Sequence, residues 1–226
     1  MTVRATAGPV WLSLAVTWFL GVLPATAASP TSAGPSPEER QRLDRGEVVF
    51  RRGAAPRDGA AVPGARGGVA FVRVPAPPDR SWAILTAPRR YPAIFPGLRS
   101  VDVLEETETA WLLRTEGQFG PFSFSYHTRY RLQADTRTIV WRLDPTRDND
   151  VFEDHWGFWR LEPEDGGTLV VYAIGSVASG WQPLAGFFER WGVTQALAAL
   201  REAAMRWADA PPPRRGSGRV VAARAR

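Results

Sequence analysis

A strict alternation of side-chain types in the middle of the chain constrains its fold more than any other feature. Residues 122–132 read FSFSYHTRYRL, with phenylalanine, tyrosine, threonine or leucine at even positions and serine, histidine or arginine at odd ones. Successive side chains of a strand point to opposite faces. The pattern therefore predicts a half-buried antiparallel strand, and it places His127 on the solvated face.

The same period of two recurs in the segments on both sides of this strand, and turn residues separate one segment from the next. The further strands are predicted over residues 100–106, 110–117, 138–143, 151–162 and 168–177. Such a series of short alternating segments joined by turns is typical of an antiparallel sheet.

The end of the chain changes to helical spacing. Val193, Leu197, Leu200, Ala204 and Trp207 recur three or four residues apart, as on one apolar stripe of a helix. A sheet with one apolar face must bury it, and this helix is the only large partner that the pattern offers. The sequence therefore predicts an α+β fold in which a curved antiparallel sheet wraps around a long C-terminal helix.

Two short helices are expected between the early strands and the rest of the sheet. Early strands are predicted at residues 46–50 and 69–74, and the glycine-rich residues 51–68 between them are interpreted as a flexible loop. Prolines then begin a short helix at residues 79–87 and interrupt a second helical turn at residues 89–98.

Two motifs resemble those of the START-like, or SRPBCC, superfamily with its helix-grip fold. Residues 81–98, SWAILTAPRRYPAIFPGL, are similar to the pattern W-x-x-L…Y-P-x-x-x-P, and residues 157–168 are similar to G-x-W-x-L…G-G-T. The chain looks closest to the polyketide cyclase/dehydrase and coenzyme-Q-binding START-type group over residues 46–209. It departs from the pattern at Ala87-Pro88, where relatives often have an aspartate.

The resemblance implies a deep apolar cavity between the sheet and the C-terminal helix, used in relatives to hold lipids, quinones, sterols or polyketides. The expected function is the binding of such a hydrophobic small molecule, and the alternative is an aromatase/cyclase-like enzyme with acid–base histidine and tyrosine groups. No cofactor is implied. The side chains expected to line the cavity are Trp82, Phe95, Trp111, Leu113, Phe124, Tyr126, Thr128, Tyr130, Trp141, His155, Trp159, Leu197 and Leu200.

The residues themselves offer little for catalysis or metal binding. The chain has two histidines and no cysteine, and it contains neither H-E-x-x-H nor G-x-S-x-G. His155 shares the apparently inward face of its strand with Gly157 and Trp159. Three roles stay open for it: a proton shuttle, a hydrogen bond to a ligand, or a structural contact with a neighbouring strand.

The first 27 residues have the features of a secretory signal peptide. Arg4 precedes an apolar run from Val10 to Leu23, and a small-residue site ends at Ala27. An uncleaved membrane anchor is the alternative, although the run is shorter than a spanning helix requires. Residues 28–45 are interpreted as a disordered linker. The expected location is periplasmic or secreted, and the absence of cysteine excludes lipoprotein attachment and disulfides.

The positive charge of the chain is concentrated at its ends. The net charge is +5 with no lysine, but Arg4 and five arginines of the C-terminal tail account for it, since 22 arginines and 23 acidic residues remain. No nucleic-acid partner is expected. Residues 210–226 are predicted to be a disordered arginine-rich tail, with contact to anionic lipid headgroups as the alternative.

Overall fold

The computed structural model describes residues 34–53, 55–179 and 192–206, which form one antiparallel sheet with helices on both faces. The strands are β1 (Val49–Arg52), β2 (Arg66–Val74), β3 (Leu98–Glu106), β4 (Ala110–Phe119), β5 (Phe122–Gln133), β6 (Thr138–Leu143), β7 (Phe152–Glu164) and β8 (Gly167–Ala178). The helices are α1 (Pro37–Asp44), α2 (Pro78–Leu85), α3 (Tyr91–Ile94) and α4 (Val193–Arg206), with a 3₁₀ turn at Pro88–Arg90.

The sheet has the order β1-β2-β8-β7-β6-β5-β4-β3, so every neighbouring pair except β2–β8 is consecutive in the chain. The β2–β8 pairing joins the N-terminal hairpin to the last strand, with Arg66 opposite Ser176 at one end and Val74 opposite Thr168 at the other. The sheet curves around α4, and the predicted α+β helix-grip architecture is confirmed.

Alternation along β5 assigns its side chains to two faces. Thr128 is fully buried on the inner face, which faces α4, whereas Arg129 and Arg131 on the outer face are exposed. His127 also lies on the outer face, where its Nδ1 is 3.0 Å from the Asp148 carbonyl oxygen. The strand and its solvent-facing side chains agree with the alternation in the sequence.

The helices on the inner face are short except for α4. Prolines in the first turns of α2 and α3 suit helix starts, where an N–H would have no partner. The Tyr91 hydroxyl donates to the Leu85 carbonyl at 2.6 Å and ties α3 to the end of α2. Helix α4 buries Leu197 and Leu200 against the sheet.

The outer face of the sheet is buried as well, over β1, β2, β8 and β7. The second core comprises Leu43, Val49, Ala55, Val69, Phe71, Trp156, Leu169, Val171 and Ala173. Leu43 comes from α1 and Ala55 from the segment that follows β1. The C-terminal helix is the longest described helix, but the sheet has a second buried face, which the sequence analysis did not predict.

Helix α1 corrects the prediction of a disordered linker over residues 28–45, which is wrong for residues 37–44. The Ser36 hydroxyl accepts from the Glu39 amide at 3.2 Å, and the Glu39 carboxylate accepts from the Ser36 amide at 2.7 Å, which makes a capping box. The Arg51 guanidinium pairs with Glu39 and fixes the helix to β1. Leu43 is the buried residue of this helix, and it packs into the outer core of the sheet.

The interpretation of residues 51–68 as a flexible loop also needs correction. Strand β1 extends to Arg52 and β2 begins at Arg66. Asp58 and Gly59 both have positive φ, and Arg57 and Ala60 exchange two backbone hydrogen bonds of 2.8 and 3.0 Å across them. This geometry is a type I′ turn, which Asp-Gly favours.

Several predictions concern residues outside the described ranges. The signal peptide at residues 1–27, the start of the linker and the tail at residues 210–226 lie there, and so does Trp207 at the end of the predicted helical stripe. Within the described part, no helix has the length and apolar character to cross a membrane.

Candidate functional site

A cavity of about 450 Å³ lies between the inner face of the sheet, the α2–α3 segment and the start of α4. Its wall comes from residues scattered over six strands, three helices and the segments between them. The lining residues are Gly67, Leu85, Tyr91, Phe95, Pro96, Leu98, Phe122, Ser123, Phe124, Tyr126, Tyr130, Trp141, Asp150, Val151, Phe152, His155, Trp159, Tyr172, Ile174, Ser176, Ala178, Ser179, Gly192, Val193 and Ala196.

Stacked aromatic rings form the floor of the cavity. The ring centres of Trp159 and Tyr172 are 4.0 Å apart, and those of Trp141 and Tyr172 are 5.3 Å apart with an angle of 20° between the planes. Tyr130 continues the series beyond Trp141 at 6.2 Å. Flat rings packed in this way present an apolar surface with a polar hydroxyl at intervals.

A glycine opposite Trp141 creates the space for this floor. Gly157 is the direct cross-strand neighbour of Trp141 in the β6–β7 pair. A Cβ at position 157 would lie 2.1 Å from the Ala173 carbonyl oxygen and 2.4 Å from Cζ2 of the tryptophan, so any other residue would displace the β8 backbone or the ring. The glycine of the G-x-W motif is thus explained by packing, since it leaves room for the Trp141 ring beside His155 and Trp159.

A β-bulge at the start of β7 turns two rings into the cavity. The register with β8 shifts between Phe152 and Asp154, which inserts one extra residue. Phe152 and His155 are three apart and would point to opposite faces of a regular strand. With the bulge, both reach the cavity wall, and their rings stack with centres 4.5 Å apart and planes 10° apart.

His155 is the polar group most enclosed by this aromatic wall. It is 7% exposed, and its Nδ1 has no hydrogen-bond partner among the described residues. Burial lowers the pKa of the imidazole from 6.5 to about 4, although the Asp154 carboxylate and the Gly175 backbone act in the opposite direction. The ring is therefore neutral at neutral pH and carries one unused polar atom.

The tyrosines around the cavity keep their protons. Burial raises the pKa of Tyr126 and Tyr130, and it raises the pKa of Tyr172 well above its usual value. Tyr126 meets the edge of the His155 ring at 5.7 Å. The phenols can donate hydrogen bonds, but they do not ionise near neutral pH.

One charged side chain lies in the cavity wall, where neighbouring serines hold it by hydrogen bonds. Among the cavity residues in the described part of the chain, Asp150 is the only charged one. Its carboxylate accepts from the amide and the hydroxyl of Ser125 at 2.7 and 2.9 Å. The hydroxyl of Ser179 donates to the Asp150 carbonyl at 3.0 Å. Apart from this hydrogen-bonded carboxylate, the described wall of the cavity is uncharged.

The structure brings seven of the thirteen predicted residues to the cavity wall. They are Phe95, Phe124, Tyr126, Tyr130, Trp141, His155 and Trp159. The other six lie beside the cavity but not on its wall. Trp111, Leu113, Leu197 and Leu200 belong to the packed inner core, Trp82 is half-buried against that core, and Thr128 is fully buried in β5.

Sequence reasoning missed wall residues of two kinds. Tyr172 and Ile174 lie in phase on β8, and alternation could have identified them. Phe152 could not be found in this way, because the bulge changes the phase of β7. The inward face of β5 was assigned correctly, yet only part of it reaches the cavity.

A sheet that grips one helix around an aromatic cavity defines the helix-grip class of small-molecule-binding folds. The sequence also matches, over residues 74–201, the family described as polyketide cyclase/dehydrase and lipid transport. This match covers more than half of the chain, and the protein belongs to that family. A search of curated protein sequences found no match.

Solved structures share the fold at low sequence identity. The ZhuI aromatase/cyclase from Streptomyces sp. R1128 superposes with a TM-score of 0.58 and 23% identity, over 65% of this chain and 97% of the other. A STAR-related lipid transfer protein fragment from Xanthomonas axonopodis gives 0.52 and 16%, over 69% and 98%. These similarities establish the fold and leave the ligand open.

Proposed function

We propose that the protein binds a flat or elongated hydrophobic small molecule that carries one uncharged polar group. The observation that carries this proposal is the aromatic cavity with the His155 ring in its wall, since the buried Nδ1 of that ring has no hydrogen-bond partner among the described residues. A buried polar atom without a partner is costly. A small rotation of the His155 ring would bring Nδ1 to the cavity, where a ligand hydroxyl would satisfy it in either tautomer, because a hydroxyl both donates and accepts.

The size and charge of the cavity narrow the ligand class. A volume of about 450 Å³ lies within the usual range for small-molecule sites. An anionic group has no arginine to meet on the described wall, and the carboxylate of Asp150 in that wall would repel it. Lipids, quinones and polyketide-like aromatics with neutral polar groups therefore fit better than free fatty acids do.

Relatives support two versions of the function. The family includes both polyketide cyclases/dehydrases and lipid transport proteins, and the two structural neighbours are an aromatase/cyclase and a lipid transfer protein. An aromatase/cyclase-like reaction, the second candidate, is favoured by a neutral imidazole 5.7 Å from a protonated tyrosine. In such a reaction the imidazole would accept a proton as the base and the phenol would donate one as the acid.

The pKa values favour binding over catalysis. A general base works best when its pKa lies near the operating pH. The His155 pKa of about 4 makes it a weak base at pH 7, and burial raises the pKa of Tyr126 and so makes it a weak acid. We therefore place a holding or carrying function first and the cyclase-like reaction second.

A matched series of probes tests the binding proposal by isothermal titration calorimetry. We expect 1-naphthol to bind about tenfold more tightly than naphthalene, which is the value of one hydrogen bond, and 1-naphthoate to bind more weakly than either. The His155→Phe variant should lose the preference for 1-naphthol. His127→Gln, which changes the other histidine on the outer face, should keep it.

A second arm of the test uses whatever ligand the protein acquires in cells. Protein purified from its native host is extracted with organic solvent and the extract is analysed by mass spectrometry, with His155→Phe prepared in parallel. A neutral hydrophobic molecule recovered in stoichiometric amount supports the proposal. An empty extract together with no binding of any naphthalene probe would refute it.

We also propose that residues 1–27 direct the protein out of the cytoplasm, in line with their apolar pattern. Cell fractionation and N-terminal sequencing test this, with Ala28 expected as the first residue. Full-length protein in the membrane fraction would instead support an anchor. Flotation with anionic liposomes, with and without residues 210–226, tests contact between the tail and the membrane.

A further inference from the structure

The segment that covers the outer face lies outside the family-matched region, yet it is connected to the cavity. We name residues 55–65 the outer strap. The family match covers residues 74–201, so the strap precedes the matched region. It crosses the outer face of β7 and β8, near the bulge in β7 that turns Phe152 and His155 towards the inner face.

The strap is anchored to the sheet at defined points. The Ala55 amide donates to the Ile174 carbonyl at 3.2 Å, and the Ala55 carbonyl accepts from the Trp156 indole at 2.9 Å. The type I′ turn at Asp58–Gly59 then directs Arg57 back over the Trp156 ring, with 5.9 Å between the guanidinium and the ring centre. These contacts fix the direction in which the Arg57 side chain points.

The guanidinium of Arg57 forms an ion pair with one carboxylate oxygen of Asp154. The other oxygen of Asp154 accepts from the backbone amide of His155 at 2.9 Å. One carboxylate thus joins the strap to the backbone that carries the cavity histidine. The Asp154 side chain is 18% exposed, so removal of Arg57 would leave a largely buried charge without its cation.

The Asp154 carboxylate belongs to a residue of the bulge, so its ion pair with Arg57 acts on the backbone of the bulge itself. Asp154 is the residue at which the β7–β8 register resumes after the shift from Phe152. An inserted residue leaves the local backbone short of ladder hydrogen bonds, and a neighbouring contact can hold one of the possible arrangements. The observed arrangement is the one that stacks Phe152 on His155 inside the cavity.

We infer that Arg57 is a positioning residue for the cavity: through Asp154 it holds the β7 bulge so that Phe152 and His155 point inward together. The inference deepens the proposed function, on which its meaning for ligand recognition rests. It assigns to the outer strap a role in setting the polar contact of the cavity, in addition to covering apolar surface. The strap is thereby part of the site.

The two histidines make the test direct, because a proton NMR spectrum contains only two histidine Hε1 signals. In the wild type, the neutral His155 ring lies against Phe152 and Trp141 and its signal should be displaced by their ring currents. Arg57→Ala should remove much of that displacement and raise the apparent pKa of His155 from about 4 towards 6.5. The His127 signal should not change.

Arg142→Ala is the matched control, since Arg142 pairs with Asp58 of the same strap at 3.1 Å and does not touch Asp154. It should leave the His155 signal unchanged. Arg57→Lys should restore most of the wild-type displacement by replacing the cation. If Arg57→Ala lowers only the melting temperature and leaves the His155 signal in place, or if Arg142→Ala moves that signal equally, the positioning role is wrong.

Calorimetry with 1-naphthol and naphthalene separates this inference from the proposed function. We expect Arg57→Ala to weaken 1-naphthol binding about fivefold and naphthalene binding little, because the hydrogen-bonding atom is displaced while the apolar floor remains. A shifted His155 signal in a protein that binds neither probe would keep the positioning role and remove the proposed ligand class. Equal loss for both probes would count against the role of Arg57 in polar recognition.

Discussion

The two faces of the sheet are buried by different means. On the outer face, α1 and the outer strap cover Phe71, Val171 and their neighbours, and the Trp156 indole has a partner in the Ala55 carbonyl. On the inner face, aromatic rings surround a cavity of about 450 Å³, and the His155 Nδ1 has no partner in the part of the chain that the structure describes. The outer face is thus closed by packing, whereas the inner face encloses a cavity of the size of a small molecule.

The largest effect expected from this comparison is on stability, at the outer face. Phe71 is 1% exposed, and Phe71→Ala should lower the free energy of unfolding by about 3–5 kcal/mol. Phe152→Ala, at the half-buried edge of the cavity, should cost less than half as much and should weaken 1-naphthol binding more. Urea unfolding followed by tryptophan fluorescence measures the first, and calorimetry measures the second. Equal stability losses would remove the distinction between the faces.

Acid should destabilise the protein because it protonates His155 on the inner face of the sheet. The folded-state pKa of His155 is about 4, below the unfolded value of 6.5, so the unfolded state binds more protons between these pH values. The free energy of unfolding should therefore fall as the pH drops from 6.5 to 4, by about 3 kcal/mol in all. His155→Gln should flatten this part of the profile, whereas His127→Gln should not. A parallel profile for wild type and His155→Gln would show that the ring is already exposed.

An intermediate effect is expected where the strap meets the sheet. Trp156→Phe keeps the ring in the outer core but leaves the Ala55 carbonyl without its donor, at a cost of about 1–3 kcal/mol. Trypsin should then cleave after Arg57 faster than in the wild type. Cleavage at an unchanged rate, with the stability unchanged, would mean that the indole does not fasten the strap.

The smallest effect is expected at the beginning of α1. Ser36→Ala removes the hydroxyl that accepts from the Glu39 amide, and it should cost about 1 kcal/mol. Ser36→Asp should restore the cap. Because α1 lies on the outer face, neither variant should alter the affinity for 1-naphthol. A change in that affinity would show that the two faces are coupled more widely than through Arg57.

The sequence predicted the fold well where its patterns were local. The alternation of residues 122–132 identified the inner side chains of β5, and the spacing of Leu197 and Leu200 identified the buried stripe of α4. Helix α1 also had a local signal, the serine and glutamate of the capping box at Ser36 and Glu39, and the proline-rich composition around it obscured that signal. The Asp58–Gly59 turn was readable for the same reason.

The site was less predictable, because its residues meet through contacts that are distant in sequence. Trp111, Leu113 and Leu200 have the apolar character and phase of wall residues, yet their neighbours fill the space beside them. Only the three-dimensional packing separates a side chain that faces a void from one that faces another side chain. The bulge at Phe152 likewise depends on its pairing with β8.

The sequence by itself determined which side chains share a face, since Cβ directions alternate along a strand and repeat every three or four residues along a helix. It thereby specified an antiparallel sheet with an aromatic inner surface and one long helix to cover it. The tertiary structure decided that the outer face is covered too, and that Phe152 and His155 turn into the cavity together. Those outcomes depend on Arg57, Ala55 and Leu43 reaching strands far along the chain, and local periodicity carries no information about such contacts.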